Sequence, residues 1–242
     1  MKRVVIMQAR MTSTRLPGKV LVDLAGRPML AQQIARLRRC AAIDAIVVAT
    51  TVNATDDPVA ALAAAEGIEV FRGDEKDVLG RYLGAARAAR ADVVVRVTAD
   101  CPLIDPAVLD RVVGALLEGG CDYASNTLKR SYPRGLDAEA FHMDVLERMA
   151  RLGSSPMARE HVTWFLHRER PDLFLLREVV DAQDASDLRW TVDTADDLAL
   201  MRKIYELGGM PERWVDYPEL VAMVRRDPVL VALNAHVRQA TL

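Results

Sequence analysis

Between residues 10 and 19 the sequence reads RMTSTRLPGK, which gathers three cations, Arg10, Arg15 and Lys19, around the hydroxyls of Thr12, Ser13 and Thr14. No acid precedes Asp23. A triphosphate carries roughly four negative charges, and cations interleaved with hydroxyl and backbone N–H donors on one loop are the groups that hold it. Gly18, just before Lys19, opens backbone conformations closed to other residues. A solvated basic surface loop has the same composition. Two carboxylates further along complement the cations. Asp100 follows the apolar run 93–97, and Asp193 follows Val192. Asp105, with Pro106 behind it, is the better N-cap for the next helix, and Thr194 with Asp197 fits a weak capping box. Neither Asp100 nor Asp193 is therefore needed as a cap. Mg²⁺ is usually held by one or two carboxylates together with phosphate oxygens and water, a role open to two strand-end aspartates that folding brings together. Each aspartate also fits an ordinary turn.

The elements that must position these groups alternate along the chain. A short continuous apolar run, Val4 to Met7, marks a strand over 3–9 that ends at the basic loop. Met29, Ile34 and Leu37 mark a helix, 45–51 a strand, Ala-rich 58–66 a helix, 69–72 a short strand and 77–90 a helix. A strand over 93–97 and a helix from Pro106 continue the series. The alternation predicts an α/β fold with a doubly wound, mainly parallel sheet, whose ligands sit at the carboxyl ends of the strands. The basic loop and Asp100 both fall there. Beyond Tyr123 the regularity weakens: 132–137 is turn-like, 174–180 and 189–192 read as strands, and the tail from Tyr217 reads as helical. No Ser/Gly linker or repeat divides the chain, so a single domain over 1–242 is expected.

Bulk properties narrow the partners. The 242 residues are 51% hydrophobic, enough for a full core, and 32 basic against 34 acidic side chains leave a net charge of −2. No global field draws such a chain to nucleic acid or to an anionic membrane. The opening MKRVVIMQAR lacks a small-residue cleavage pattern, and no stretch approaches about 18 uncharged apolar residues, so a cytoplasmic protein is expected. Cys40, Cys101 and Cys121 are widely spaced, without a CxxC or a His at metal-ligand spacing, and are expected to be reduced and structural.

The string RxxSTRLPGK closely resembles the opening signature of the cytidylyltransferase superfamily that includes acylneuraminate and 3-deoxy-manno-octulosonate cytidylyltransferases. VFRGDEKDVLGRY, RVTADCPLID, YPRGLDAEAF, REHVT and WTVDTADDL resemble the spore-coat polysaccharide biosynthesis protein F branch of it. The string is neither a Walker GxxxxGK[ST] nor a GxGxxG motif. The resemblance implies a Rossmann-like nucleotidyltransferase fold, with a nucleotide-binding half over 1–122, a smaller acceptor-binding and dimerisation elaboration over 123–192, and C-terminal helices over 193–242. It implies that CMP passes from CTP to a sugar acid of the 3-deoxy-2-ulosonic or nonulosonic type, with pyrophosphate released, in surface polysaccharide or glycan biosynthesis.

In that reading Arg10, Ser13, Arg15 and Lys19 engage the CTP phosphates, Ala49, Thr50 and Thr98 lie near the cytosine, and Arg81 belongs to the nucleotide site. Asp100 and Asp193 hold Mg²⁺. The order of Arg134, Asp137, Glu139, Arg159, Glu160 and His161 resembles the family's acceptor region, with Arg134 or Arg159 free to meet a sugar carboxylate. His161, like any lone histidine, also fits a purely structural place. Asp137 and Glu139 face one side if their segment is a strand. A homodimer is implied, and Trp164, Phe165, Leu166, Phe174 and Leu176 would form its surface or else belong to the core. Other readings are a cytidylyltransferase with a phosphate or phosphonate acceptor, which needs a more cationic second pocket; a glycosyltransferase, for which a mid-chain DxD is missing; and a non-catalytic nucleotide-binding protein, against which Asp100 and Asp193 argue.

Overall fold

The structure of the chain, a computed structural model, is described for residues 1–238. In chain order, β1 (Arg3–Gln8) leads into the basic loop, and a two-residue hairpin, β2 (Asp23–Leu24) and β3 (Arg27–Pro28), precedes α1 (Met29–Leu37). There follow β4 (Ala45–Thr51), α2 (Asp57–Ala65), β5 (Glu69–Gly73), α3 (Val78–Ala88), β6 (Val93–Thr98) and α4 (Pro106–Leu117). The second half holds β7 (Tyr123–Ser125), β8 (Glu139–His142), α5 (Met143–Leu152), α6 (Pro156–Glu160), β9 (Leu176–Glu178), α7 (Ala195–Gly208), α8 (Tyr217–Arg226) and α9 (Pro228–Ala232).

Seven of the strands form one sheet in the order β5-β4-β1-β6-β8-β7-β9. The pairs β1–β4, β1–β6, β4–β5 and β7–β9 are parallel, and only β8 runs against its neighbours. Helices cover both faces, which is why the middle of β1 is apolar on every residue rather than on alternate ones. Val5 and Met7 pack with Leu30 and Ile34 of α1 and Leu109 of α4, while Val4 and Ile6 pack with Leu79 and Tyr82 of α3 and Leu146 of α5. This is the expected doubly wound α/β fold. A third cluster, around Tyr132, Trp190, Leu198, Met201 and Leu220, joins α7 and α8 to the β2–β3 hairpin and the start of α4.

From β1 the chain crosses to β4 and β5 on one side and returns to β6 on the other, so the strand order reverses between β1 and β6. Ligands bind at such a reversal, outside the carboxyl ends of the strands. The basic loop leaves β1 there, and Asp100 leaves β6 beside it.

Two expectations change. Residues 189–192 are not a strand of the sheet: the segment makes an isolated bridge between Arg189 and Arg134 and crosses over the strand ends, with Val192 N donating to Asp100 O at 2.8 Å. The strand expected over 174–180 contracts to β9, because only Leu176–Glu178 finds a partner in β7.

Candidate functional site

Both caps are filled as the residue types required. Asp105 accepts from Ala107 N and Val108 N at 3.0 and 3.2 Å, and Thr194 and Asp197 close a reciprocal capping box. Asp100 and Asp193 are thereby left to other partners, and they share one. Lys19 Nζ lies 2.8 Å from Asp100 Oδ2, 2.8 Å from Asp193 Oδ1 and 2.8 Å from the carbonyl of Val192. The two carboxylate oxygens are thus no farther apart than twice that distance, although the aspartates are 93 positions apart in the chain. Gly18, in the left-handed region at φ 71°, turns the loop so that Lys19 points inward.

Thr98 Oγ1 donates to Asp100 Oδ1 at 2.6 Å, while Arg189 and Arg15 reach Asp193 Oδ2 at 2.7 and 2.9 Å. Burial alone would lower the Lys19 pKa, but the two carboxylates outweigh it and hold it raised. Burial likewise works against an ionised Asp193, and Lys19, Arg189 and Arg15 overcome it, keeping this carboxyl below its ordinary range. Among the described residues no three His, Cys, Asp or Glu side chains gather to hold a metal. Two convergent carboxylates suit a hard cation whose remaining ligands are phosphate oxygens and water, and their convergence on an ammonium shows that they accept a cation.

Beside this pair opens a cavity of about 320 Å³, within the roughly 300–1,000 Å³ of small-molecule sites, lined by Arg15, Arg96, Arg130, Arg134, Asp137 and Glu139 as well as the two aspartates. Its charges are largely matched. Arg96 of β6 stands directly across from Glu139 of β8 in the antiparallel register and pairs with its Oε1. Tyr123 and Thr163 donate to Oε2 at 2.8 and 2.6 Å. Burial opposes the charge on Glu139, and Arg96 with these hydroxyls still holds its pKa low. Arg130 grips Asp137 through two bonds, at 2.8 and 2.9 Å, and Arg15 is engaged with Asp193. Arg134 differs from the other three arginines: among the described residues its guanidinium makes no ion pair, the charge of Asp137 acting on it only through space, while its backbone is fixed to Leu188 O and Trp190 N.

A second cleft, about 840 Å³, is lined by Arg10, the residues 74–77, Pro156, Arg159 and Glu160. Arg10 stands 3.6 Å from Glu75, which also accepts from Thr12 and Asn53.

A family described as cytidylyltransferase matches residues 4–211 of this architecture. The chain belongs to the cytidylyltransferase family. It is 34% identical over 231 residues to the spore coat polysaccharide biosynthesis protein SpsF of Bacillus subtilis, covering 92% of this chain and 94% of that protein. The solved structure of a cytidylyltransferase from Leptospira borgpetersenii superposes with a TM-score of 0.91 at 30% identity, over the whole of both chains. A CMP:2-keto-3-deoxy-manno-octonic acid synthetase complexed with CTP shares the fold, with a TM-score of 0.65 at 20% identity over 86% of this chain and 99% of that one. Membership makes the chain a CTP-dependent nucleotidyltransferase.

In this cytidylyltransferase the residues grouped by sequence order do not all meet. Arg134, Asp137 and Glu139 line the cavity beside Asp100 and Asp193, whereas Arg159 lies in the other cleft, 2.5 Å from Asp77. His161 lines neither and packs against Trp164, with burial holding its pKa down. Lys19, expected among phosphate ligands, is engaged by the aspartates. Arg81 is buried and donates to the carbonyls of Asp74 and Glu75, so it shapes the wall of the second cleft from behind. Ala49 and Thr50 are fully buried at the end of β4, and Thr98 ends β6, one strand away on the far side of β1. Ser13 is half-buried in the loop, its N–H donating to Met11 O. Phe165, Leu166 and Phe174 belong to the core, leaving Trp164 and Leu176 only half-buried.

Arg96, Arg130 and Arg189 were not anticipated. A signal existed for Arg96, since one charge inside the buried run VVVRVT requires a buried partner.

Proposed function

We propose that this cytidylyltransferase transfers CMP from CTP to a sugar acid. The observation that carries the reading is the matched charge of the cavity beside Asp100 and Asp193, which leaves a single arginine, Arg134, to receive an anionic group. One guanidinium suits a carboxylate, which takes two parallel N–H bonds. A phosphate or phosphonate acceptor calls for more unpaired positive charge than these walls offer, which disfavours that alternative.

The acceptor hydroxyl oxygen attacks the α-phosphorus of CTP and gives up its proton to solvent, a new O–P bond forms as the bond between the α-phosphorus and the bridging oxygen breaks, and pyrophosphate leaves with that oxygen. Such a transfer needs alignment and charge neutralisation rather than a covalent nucleophile. Arg10, Arg15 and Lys19 neutralise the phosphates and Ser13 donates its hydroxyl to them, Arg134 orients the acceptor through its carboxylate, and Ala49, Thr50 and Thr98 border the base, with Arg81 holding the neighbouring wall. Asp137 and Glu139 present Arg130 and Arg96 in fixed positions. Arg159 contributes at the nucleotide cleft, and His161 supports Trp164. A divalent cation, Mg²⁺ in this proposal, would be held by Asp100 and Asp193 and would supply charge neutralisation at the transferring phosphate.

A homodimer and a place in surface polysaccharide or glycan biosynthesis belong to the same proposal; the name of the Bacillus subtilis relative supports the latter. Among the described residues no helix is long and apolar enough to cross a membrane. The test is pyrophosphate release with each nucleoside triphosphate against a panel of ulosonic acids, nonulosonic acids and sugar phosphates, with and without Mg²⁺. Turnover confined to CTP plus a sugar acid is the expected result, with Asp100→Asn inactive. Turnover with a sugar phosphate in preference to every sugar acid overturns the proposal.

A further inference from the structure

The ammonium of Lys19 is enclosed. It has three N–H donors, and Asp100 Oδ2, Asp193 Oδ1 and the Val192 carbonyl use all three. In this arrangement Lys19 has no donor left for a phosphate, although it follows directly on the loop that carries Arg10, Ser13 and Arg15. Its position is also where a cation shared by the two aspartates has to lie. Asp193 has Arg15 and Arg189 as further cations, but among the described residues Asp100 has no cationic partner except Lys19. Two carboxylates this close repel one another unless a positive charge stands between them. Lys19 supplies that charge, and the three contacts leave it only 9% exposed.

We propose that Lys19 is an internal counter-ion that occupies the cation site of Asp100 and Asp193 until the nucleotide phosphates draw its ammonium away, so that a divalent cation binds strongly only after the nucleotide. The nucleotide half of this inference rests on the proposed function; the competition between lysine and metal does not. Lys19 thereby acts as a positioning residue as well as a phosphate ligand. It keeps the aspartates assembled in the free protein and sets the order in which cation and nucleotide enter. A divalent ion arriving first meets a like charge already in place.

The test is Mn²⁺ binding without turnover, read from the EPR signal of free Mn²⁺, for the wild-type protein, Lys19→Met, Lys19→Arg and Asp100→Asn. Without nucleotide, Lys19→Met is expected to bind Mn²⁺ more tightly than wild type by roughly tenfold or more, since even at the dielectric constant of water a unit charge about 4 Å from a divalent ion is worth roughly thirtyfold. Lys19→Arg, which keeps the charge, is expected to gain nothing, and Asp100→Asn to bind Mn²⁺ weakly. Adding CTP should tighten Mn²⁺ binding to wild type and do little more for Lys19→Met. If Lys19→Met, shown folded by its thermal melt, binds Mn²⁺ no better than wild type, the inference is overturned.

Should that variant unfold, the wild-type protein answers by NMR. The Lys19 Nζ resonance is expected to shift with Mg²⁺ and CTP together and to stay in place with Mg²⁺ alone at the same concentration; a full shift on Mg²⁺ alone overturns the inference. A gain in Mn²⁺ affinity in Lys19→Met with no CTP binding by any form supports the counter-ion and sinks the nucleotide reading. Normal CTP binding with no gain does the reverse.

Discussion

Replacing Arg134 with Met removes the one cavity arginine that makes no ion pair and leaves every matched pair intact. The backbone N–H and carbonyl of Arg134, bonded to Leu188 and Trp190, do not depend on the side chain, so the fold is retained. Hydrogen bonds to charged groups contribute about 1.5–3 kcal/mol. Arg134 is half-buried rather than enclosed, which places its contribution near the lower end, about 1.5–2 kcal/mol, or roughly a 10–30-fold change. In the proposed mechanism Arg134 holds the acceptor and does not touch the transferring phosphate, so the loss should appear in KM for the sugar acid with kcat nearly unchanged.

The assay is continuous pyrophosphate release at saturating CTP and Mg²⁺, titrating a 3-deoxy-2-ulosonic acid. Arg134→Lys should recover part of the loss, because an ammonium keeps the charge but not the fork of donors. An acceptor with its carboxylate converted to an amide should be equally poor for wild type and Arg134→Met. An unchanged KM for every acceptor, or an effect confined to CTP, refutes the assignment.

Glu139→Gln should destabilise the protein by about 3 kcal/mol in urea titrations, because it leaves the largely enclosed Arg96 guanidinium without the carboxylate that balances it. Met at both Arg96 and Glu139 should recover much of that loss. The folded-state pKa of Glu139 is depressed, so its stabilisation is complete above the ordinary value of 4.5 and is lost as the pH falls through the lower folded value; wild type should therefore lose stability in that acid window more steeply than Glu139→Gln. Gly135→Ala places a Cβ 2.6 Å from the carbonyl carbon of Trp190 at a φ of +107°, and is expected to cost about 1–3 kcal/mol in thermal melts and to raise KM for the acceptor by displacing Arg134. Removal of divalent ions with EDTA should abolish pyrophosphate release, and added Mg²⁺ or Mn²⁺ should restore it.

The first half of the fold was legible because its signals are local. Apolar runs fully buried in a parallel sheet, an Ala-rich helix and Pro106 behind Asp105 each identify an element without reference to the rest of the chain. Capping logic went further than periodicity, since assigning Asp105 and the Thr194–Asp197 pair to helix starts singled out Asp100 and Asp193, which now share a lysine. The second half was less legible for a physical reason. EAFH of β8 is neither an apolar run nor a long alternation, and its place is secured by Arg96 standing opposite Glu139. Residues 189–192 have the composition of a strand, but they lie across the strand ends, where Arg134 and Asp100 offer only single hydrogen bonds.

The same distinction governs the site. Residue types announced cations, hydroxyls and carboxylates, but whether a given charge is matched is a property of pairs brought together from afar. Lys19 and Arg134 exchange roles on that account. By sequence Lys19 belongs to a phosphate cradle, yet in the folded chain it spends its donors on aspartates 81 and 174 positions away. Arg134 is one of two arginines named for a sugar carboxylate, and it stands out only because Arg15, Arg96 and Arg130 have each found an acid. An enzyme that, on the proposed reading, must bind three anionic groups, a triphosphate, a carboxylate and a pair of aspartates meant for a cation, has to hold its cations in reserve until each anion arrives. Matching them internally, as with Lys19, achieves this without leaving like charges exposed to one another.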